Sequence, residues 1–462
     1  MPRVIVIGDT ILDVSYICSS ERLAQEACIP VLKMERTVFS LGGSANVFQN
    51  LVSMGVEAHF ISVIGNDENG LIIERKISDI CQNTLSTYHL IKDSKRITTT
   101  KHRYYVSKKI VFRCDNEDCM NISHTIEKSI FMNYCSVFEP NDFVILSDYN
   151  KGVLTHFLTQ EIIKISLHNK IYIDPKCSDL TKYKGCYLIK PNKDEGEQIC
   201  GHKINYRNMK ESSTEICRIV GCENCLLTLG KRGLLLYQSN NDELIYDGIQ
   251  QDNIIDITGA GDIVMAGFVY AMTNTNDLYI STKFANYCGQ LKVKHFGTYT
   301  VTPYDIAMYN MKRDKYYEIS ELEKIVKILK DNGKKIVMTN GCFDILHYGH
   351  LKLLNNAKKL GDILIVALNT DQSVKMNKGE NRPINCLDDR INQISELSCV
   401  DLVSSFCEKT PHEIIRMIKP NILVKGGDYK IEDIVGREFA NETIVLNYES
   451  GFSTTNIIDK SV

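Results

Sequence analysis

The run Asp256-Ile257-Thr258-Gly259-Ala260-Gly261-Asp262 is followed at once by an apolar stretch, Ile263 to Phe268. Glycines ahead of such a stretch describe a tight turn opening a helix. A helix start presents unpaired N–H groups and a partial positive charge. Glycine on either side of Ala260 lets that backbone approach an anion closely. Asp262 then stands beside a site built for negative charge. A carboxylate there is better suited to taking a proton from a hydroxyl that attacks a phosphate than to holding the phosphate itself. On this reading Gly259, Ala260 and Gly261 form an anion hole and Asp262 is the base. A Gly-rich turn whose Asp caps a helix fits the same residues. Val264 stands where a dinucleotide fingerprint would need its third Gly.

A second group lies far downstream. Thr339-Asn340-Gly341-Cys342-Phe343-Asp344-Ile345-Leu346-His347-Tyr348-Gly349-His350 follows a strand pattern at Lys335 to Met338. His347 and His350 are three apart at a helix start, so both can face one site. Taken alone, such a pair also suits surface histidines or a metal. Lys375, Lys378 and Arg382 are basic residues suited to a triphosphate. Gly427 and Asp428 follow a strand pattern at Ile422 to Val424. Ser453, Thr454 and Thr455 open a last helix, where hydroxyls and N–H groups hold phosphate or simply cap.

The elements that must position these groups alternate. Strand-like runs (Val4 to Ile7, Phe60 to Ile64, Phe143 to Leu146, Ile171 to Ile173, Leu226 to Leu229) are interleaved with helical patterns such as Ala45 to Met54, Ile126 to Phe138 and Leu158 to Leu167. That implies βαβ units and a parallel sheet covered on both faces. Ligands of such sheets sit at the carboxyl ends of the strands, so polar residues just after strands are candidates. They include Asp9 and Asp13, which also read as a turn and a helix cap; Asp148 in Ser147 to Gly152; Asp174-Pro175-Lys176; and Lys190 to Glu195. Thr98 to Tyr105 and Lys109 to Cys114 read as a hairpin carrying Lys101, Arg103 and Arg113. Those cations suit a phosphorylated ligand or an ordinary solvated strand face. Lys231 follows a strand but is trailed by Arg232, so its turn is not a Walker A loop.

At 462 residues the chain is too long for one ordinary core. Apolar content of 44%, net charge −3 and the lack of any basic block argue against nucleic acid as a partner. No apolar run reaches the length of a membrane span. Met1 to Gly8 reads as a buried strand meeting a turn rather than an export signal. The 17 scattered cysteines therefore read as reduced thiols in a cytoplasm. Cys222-x-x-Cys225 has no matching second pair, and neither zinc nor redox use is expected of it. Cys342 is expected to be packing.

D-x-T-G-A-G-D, complete here, together with Gly42-Gly43-Ser44-Ala45-Asn46, resembles the ribokinase-like sugar kinases. T-N-G-x-F-D-x-x-H-x-G-H resembles the cytidylyltransferase-like nucleotidyltransferases. The pairing, with SDYNKG, LVKGGDY and STTNII between and after, resembles the bifunctional heptose kinase/adenylyltransferases of Gram-negative bacteria over essentially the whole chain. The fold this implies is α/β. A ribokinase-like doubly wound sheet with a β lid would span 1–313, a linker helix region 314–334, and a Rossmann-like nucleotidyltransferase domain 335–462.

The resemblance implies that Asp9, Asp13, Gly42, Gly43, Asn46, Lys101, Arg103 and Asp148 bind sugar. It implies that Asn192, Lys193, Asp194, Glu195 and Lys231 serve ATP, with Glu195 on Mg²⁺. In the second domain it implies that Thr339, Asn340, Gly341, Phe343, Asp344, Lys378, Gly427, Asp428, Ser453, Thr454 and Thr455 bind nucleotide. His347 and His350 would donate to its phosphates as pyrophosphate leaves. The implied reactions are phosphorylation of heptose 7-phosphate at C1 and transfer of AMP from ATP to heptose 1-phosphate, feeding lipopolysaccharide core synthesis. A different sugar kinase fused to a cytidylyltransferase, or a non-catalytic sensor, are the rival readings. A homodimer through the lid is expected. So is a separate phosphatase between the two steps, because the chain carries neither an Asp-x-Asp pair nor a Cys followed six positions later by Arg. Departures from the pattern are Leu23 to Cys28 in place of a Pro-rich lid segment, Ser44 where Ala is usual, and Cys342.

Overall fold

The computed structural model describes residues 2–166, 170–176, 179–248, 254–427 and 429–446. It divides into two compact units, Met1–Thr302 and Pro303–Val462.

The strands of the first unit are β1 (Val4–Gly8), β2 (Thr10–Ser19), β3 (Lys33–Gly43), β4 (Ala58–Gly65), β5 (Thr87–Asp93), β6 (Thr100–Val106), β7 (Lys109–Asn116), β8 (Phe143–Ser147), β9 (Ile171–Asp174), β10 (Leu188–Ile189), β11 (Asn224–Thr228), β12 (Leu234–Gln238) and β13 (Glu243–Asp247). Nine of them form one sheet in the order β13-β12-β11-β10-β9-β8-β1-β4-β5. From β11 to β5 every pairing is parallel, and β12 and β13 close one edge as antiparallel strands. Parallel strands covered on both faces read as continuous apolar runs. Accordingly β1, β4, β8 and β9 are buried at every residue. Cys222 and Cys225 are two of the apolar residues filling this core.

A separate four-stranded sheet, β3-β2-β6-β7, forms the lid. Asp9 and Asp13 therefore bracket the passage from the main sheet into a lid strand. No helix follows them, so the helix-cap reading of this pair falls. The expected hairpin is present as β6 and β7.

The second unit contains β14 (Ile336–Gly341), β15 (Ile363–Asn369), β16 (Leu402–Phe406), β17 (Ile422–Gly426) and β18 (Glu442–Leu446). They form a wholly parallel sheet in the order β16-β15-β14-β17-β18. The division between units falls earlier than the motifs imply. Pro303–Arg313 is a helix, and it and the helix Ile319–Asp331 belong to the second unit. Leu322, Val326 and Leu329 recur at helical spacing and are buried, with Met311, against Ile336, Met338 and Ile365 of this sheet. The stretch expected to link two domains is one wall of the second core. Its polar composition hid that, because only one stripe of each helix is apolar.

Candidate active sites

In the first unit the Gly-rich turn opens the helix Ala260–Thr275, with Gly259 at the cap in a left-handed conformation (φ 73°). A Cβ at Gly259 would stand 2.7 Å from the Asn46 amide, so close approach as well as backbone angle calls for glycine. The turn is held from behind. The Asp256 carboxylate accepts N–H bonds from Thr258 and Gly297, both at 2.9 Å. Lys292, which is fully buried, donates its ammonium to the carbonyls of Asp256 (2.9 Å) and His295 (3.2 Å). Sequence reasoning missed Lys292, because a lysine late in a helix gives no sign of being buried.

Asp262 is 2% exposed. Asn46 Nδ2 donates to its Oδ2 at 2.9 Å, and the Tyr149 hydroxyl donates to its Oδ1 at 2.5 Å. Asn46 lies in the helix Ser44–Ser53, entered through Gly43 at φ 59°. The two sequence marks of this unit therefore meet at one carboxylate. Burial pushes the Asp262 carboxyl up to about 6, aided by the charge of Asp174 and opposed by the Tyr149 and Asn46 hydrogen bonds and by Lys190. A carboxylate poised there is ionised at neutral pH and can still accept a proton. Asp174 and Lys190, which end β9 and follow β10, pair at 2.9 Å. The Lys190 ammonium would be 3.4 Å from a Cβ at Gly261, so a buried cation flanks the helix start. Their positions just past parallel strands were the available signal for both.

Other candidates divide. Asp13 and Gly42 are adjacent, a Cβ at Gly42 falling 2.6 Å from Asp13 Oδ2. Asn192 and Glu195 form a reciprocal capping box on the helix Lys193–Cys200. One Glu195 oxygen is used there, and burial followed by Asp174 raises its carboxyl. Asp194 is exposed in the same first turn. Lys193 and Lys231 line a cavity of about 280 Å³ with Tyr206, Met209 and Arg232.

Four of the expected residues are tied to partners within the protein. Asp9 accepts backbone N–H bonds from Tyr149, Lys151 and Val153, so it shapes that loop. Asp148 is held by the Tyr183 hydroxyl and the Lys182 ammonium. Arg103 pairs through Nη1 with Asp13 at 2.6 Å, and Arg113 pairs with Asp115 at 2.6 Å. Lys101 and Lys176 are also near the site, their ammoniums lying 5.3 Å and 4.7 Å from the Tyr149 ring centroid. Among the described residues neither makes an ion pair.

In the second unit β14 delivers Asn340 and Gly341 to a cavity of about 440 Å³, with Thr339 buried just before them. A pocket of that size suits a nucleotide-scale ligand. Phe343 adopts a left-handed backbone (φ 46°), and its ring lies against Gly341, where a side chain would collide. His347 caps the helix Tyr348–Lys358, and the His347 and His350 rings stack with centroids 3.8 Å apart. Both ring nitrogens of His347, Nδ1 of His350, Oγ1 of Thr339 and Oδ1 of Asn340 are buried without a partner. Unpaired buried polar atoms are costly, and those of Asn340, His347 and His350 belong to residues lining one cavity, as a polar ligand requires. Burial lowers both imidazoles; His350 falls to about 4, with His347 and Lys378 adding to the effect.

Lys378 lines the cavity as expected, and Gly427 (φ 122°) donates its N–H to the Leu446 carbonyl. Asp344 also lines the cavity, and Arg382 reaches it through Asp344. They pair at 2.6 Å, and Asp344 also accepts the N–H groups of Ile384 and Asn385. Lys375 lies 3.9 Å from Glu380. Lys425, part of the LVKGGDY mark, and Cys342, expected to be packing, both line the cavity, and burial lowers Lys425 to about 8. Arg390, fully buried, was missed; it ties the carbonyls of Cys342 and Asn369 to the Asp371 carboxylate. Asp428, Ser453, Thr454 and Thr455 lie outside the described residues.

Comparison with known proteins agrees with this division. The pattern of the pfkB family carbohydrate kinases matches residues 1–305, and the Cytidylyltransferase-like pattern matches residues 338–460. The chain is 37% identical over 466 residues to the bifunctional protein HldE of a Nitratiruptor species, covering 99% of each. It is also 37% identical over 463 residues to that of Helicobacter pylori, covering 100% of this chain and 98% of the relative. Among solved structures it resembles phosphofructokinase-2 from Escherichia coli with TM-score 0.57 at 14% identity, covering 68% of this chain and 99% of that one. It resembles ribokinase from Giardia lamblia with TM-score 0.54 at 16% identity, covering 67% and 100%. The last two likenesses concern fold.

Proposed function

The chain belongs to the family of bifunctional HldE proteins, a pfkB-type carbohydrate kinase joined to a cytidylyltransferase-like nucleotidyltransferase, and from that premise we propose that it builds ADP-heptose in two separated steps. The first unit phosphorylates heptose 7-phosphate at its C1 hydroxyl with ATP. The second transfers AMP from ATP to heptose 1-phosphate and releases pyrophosphate. The observation that carries the kinase step is the buried Asp262 carboxylate at a glycine-lined helix start, with Lys190 alongside. The C1 hydroxyl gives its proton to Asp262 as its oxygen attacks the γ-phosphorus. The N–H groups of the turn receive the charge that develops.

Support for a phosphorylated sugar comes from Lys101 and Lys176, two ammoniums with no ion-pair partner among the described residues. Glu195 fits a divalent cation, since a hard carboxylate oxygen remains beside its capping bond. Bound there, Mg²⁺ would neutralise nucleotide phosphate charge.

The lid leaves apolar side chains in the open. Phe112 is 59% exposed on β7, and Val38 and Phe39 are exposed on β3. A second copy of the chain covers this surface in a homodimer. Light scattering should report a dimer for the wild type and a monomer for Phe112→Lys. A monomeric wild type would remove the dimer from this proposal.

The two steps do not join directly. The kinase product carries phosphate at C1 and C7, whereas the second unit takes the sugar with the C1 phosphate alone. Uncatalysed monoester hydrolysis is among the slowest reactions known, so a separate phosphatase must act between them. The test is incubation with heptose 7-phosphate, ATP and Mg²⁺, with and without added phosphatase, and with CTP replacing ATP in a parallel tube. ADP-heptose is expected only where ATP and phosphatase are both present. Its formation without phosphatase, or efficient use of CTP, would overturn the assignment.

A further inference from the structure

Tyr149 occupies an unusual place for a residue with no assigned role. It sits in the Ser147 to Gly152 loop, whose backbone Asp9 fixes by accepting N–H bonds from residues 149, 151 and 153. The phenol is delivered by a rigid loop, and its hydroxyl meets Asp262 Oδ1 at 2.5 Å. Asn46 already holds the other oxygen at 2.9 Å. Each oxygen of the base thus already accepts one hydrogen bond before any sugar arrives. A carboxylate oxygen that is to take a proton must first receive a hydrogen bond from the hydroxyl that will lose it. Asn46 donates an N–H and cannot be replaced by the reacting hydroxyl without leaving its amide unpaired. The Tyr149 hydroxyl is chemically of the same kind as the incoming group and occupies the position that group needs.

We infer that Tyr149 is a positioning residue whose hydroxyl stands in for the sugar hydroxyl, orienting the Asp262 carboxylate and yielding its place when substrate binds. This rests on the reading of Asp262 as the kinase base. Tyr149 keeps its own proton throughout. The sugar O–H forms the new hydrogen bond and passes its proton to Asp262 as the oxygen–phosphorus bond forms and the bond from phosphorus to the ADP oxygen breaks. The surroundings suit a strong but exchangeable donor. Lys101 on β6 and Lys176 beyond β9 lie over the ring, and cations over a phenol face draw electron density from its hydroxyl. A sugar phosphate taken up by those ammoniums weakens that pull as the hydroxyl arrives, linking recognition of the phosphate to release of the base.

The charged groups around the pair are Asp174 and Lys190 facing Asp262, and Asp13, Asp174, Lys101 and Lys176 facing Tyr149. The phenol is held protonated by burial and by these carboxylates. Its hydrogen bond opposes protonation of Asp262. Losing the hydroxyl must therefore make the base easier to protonate.

The experiment is the pH profile of kinase kcat/KM for the full chain with heptose 7-phosphate. In Tyr149→Phe the acid limb is expected to move to higher pH by about one unit, with activity recovering above pH 8. Site-specific 3-fluorotyrosine at 149, a stronger donor of nearly the same shape, should move the limb the other way, and it decides the matter if the Phe variant does not fold. Acid limbs that coincide with wild type in the folded variants would overturn the inference. Asp262→Asn, run alongside, separates the two levels. If it stays active, the base assignment fails; if it is dead while the limbs coincide, only the role of Tyr149 fails.

Discussion

Replacing His347 or His350 by alanine is expected to slow adenylyl transfer by about 10²–10³-fold while sugar phosphorylation continues at its normal rate. Both rings lie in one cavity, stacked 3.8 Å apart, with buried nitrogens that nothing in the described protein satisfies. The His347→Ala and His350→Ala effects are expected to be similar, because each ring is held in place by the other. Burial makes the pair neutral without ligand, and a triphosphate placed against it favours the charged form. ATP binding to this unit should therefore be accompanied by proton uptake, visible in calorimetry as a dependence of the heat on the buffer. Pyrophosphate release measured with heptose 1-phosphate and ATP reads the rate directly. Alanine variants within a few-fold of wild type would make the histidines structural.

How far the sequence could be read depended on what each residue's partner was. The parallel sheets were legible because buried strands are apolar throughout. Val4–Gly8, Phe143–Ser147 and Ile171–Asp174 could hardly be anything else. The motif residues whose work is done by backbone, Gly259 and Gly43, were legible for a similar reason, since few other residues tolerate their conformations. Charged residues were read less well. A carboxylate that binds a ligand and one that ties a loop look alike in one dimension. Asp9, Asp148 and Asp344 were all read as ligand contacts; each also holds backbone or a neighbouring cation, and Asp344 lines the cavity as well. The partners of Arg103 and Arg382 were not legible, because they, Asp13 and Asp344, lie 90 and 38 residues away. The cations that do face the sites, Lys176, Lys190 and Lys425, carry no pattern beyond following a strand. That one cue, the carboxyl end of a parallel strand, pointed to Lys176 and Lys190 as candidates and applies equally to Lys425.

Asp262→Asn should abolish sugar phosphorylation and spare adenylyl transfer. A lost general base costs about 10²–10⁴-fold, or roughly 3–5 kcal/mol of barrier. The substitution preserves the shape of the side chain and can still accept from Asn46 or Tyr149 through its oxygen. What it removes is proton affinity, so loss of turnover with retained ATP and sugar binding would separate chemistry from folding. The wild-type profile gives an independent check. Burial and Asp174 hold the Asp262 carboxyl at about 6, so kinase kcat/KM should fall as pH drops through 6, where the base becomes protonated and can no longer accept. The adenylyl reaction uses none of these groups and should keep its own profile in the Asn variant. An Asn variant that turns over within a few-fold of wild type would mean that the hydroxyl is deprotonated elsewhere. Asp174 would then be the carboxylate to substitute next, since it is the other acid facing this helix start, although its pairing with Lys190 at 2.9 Å leaves it poorly placed to receive a proton.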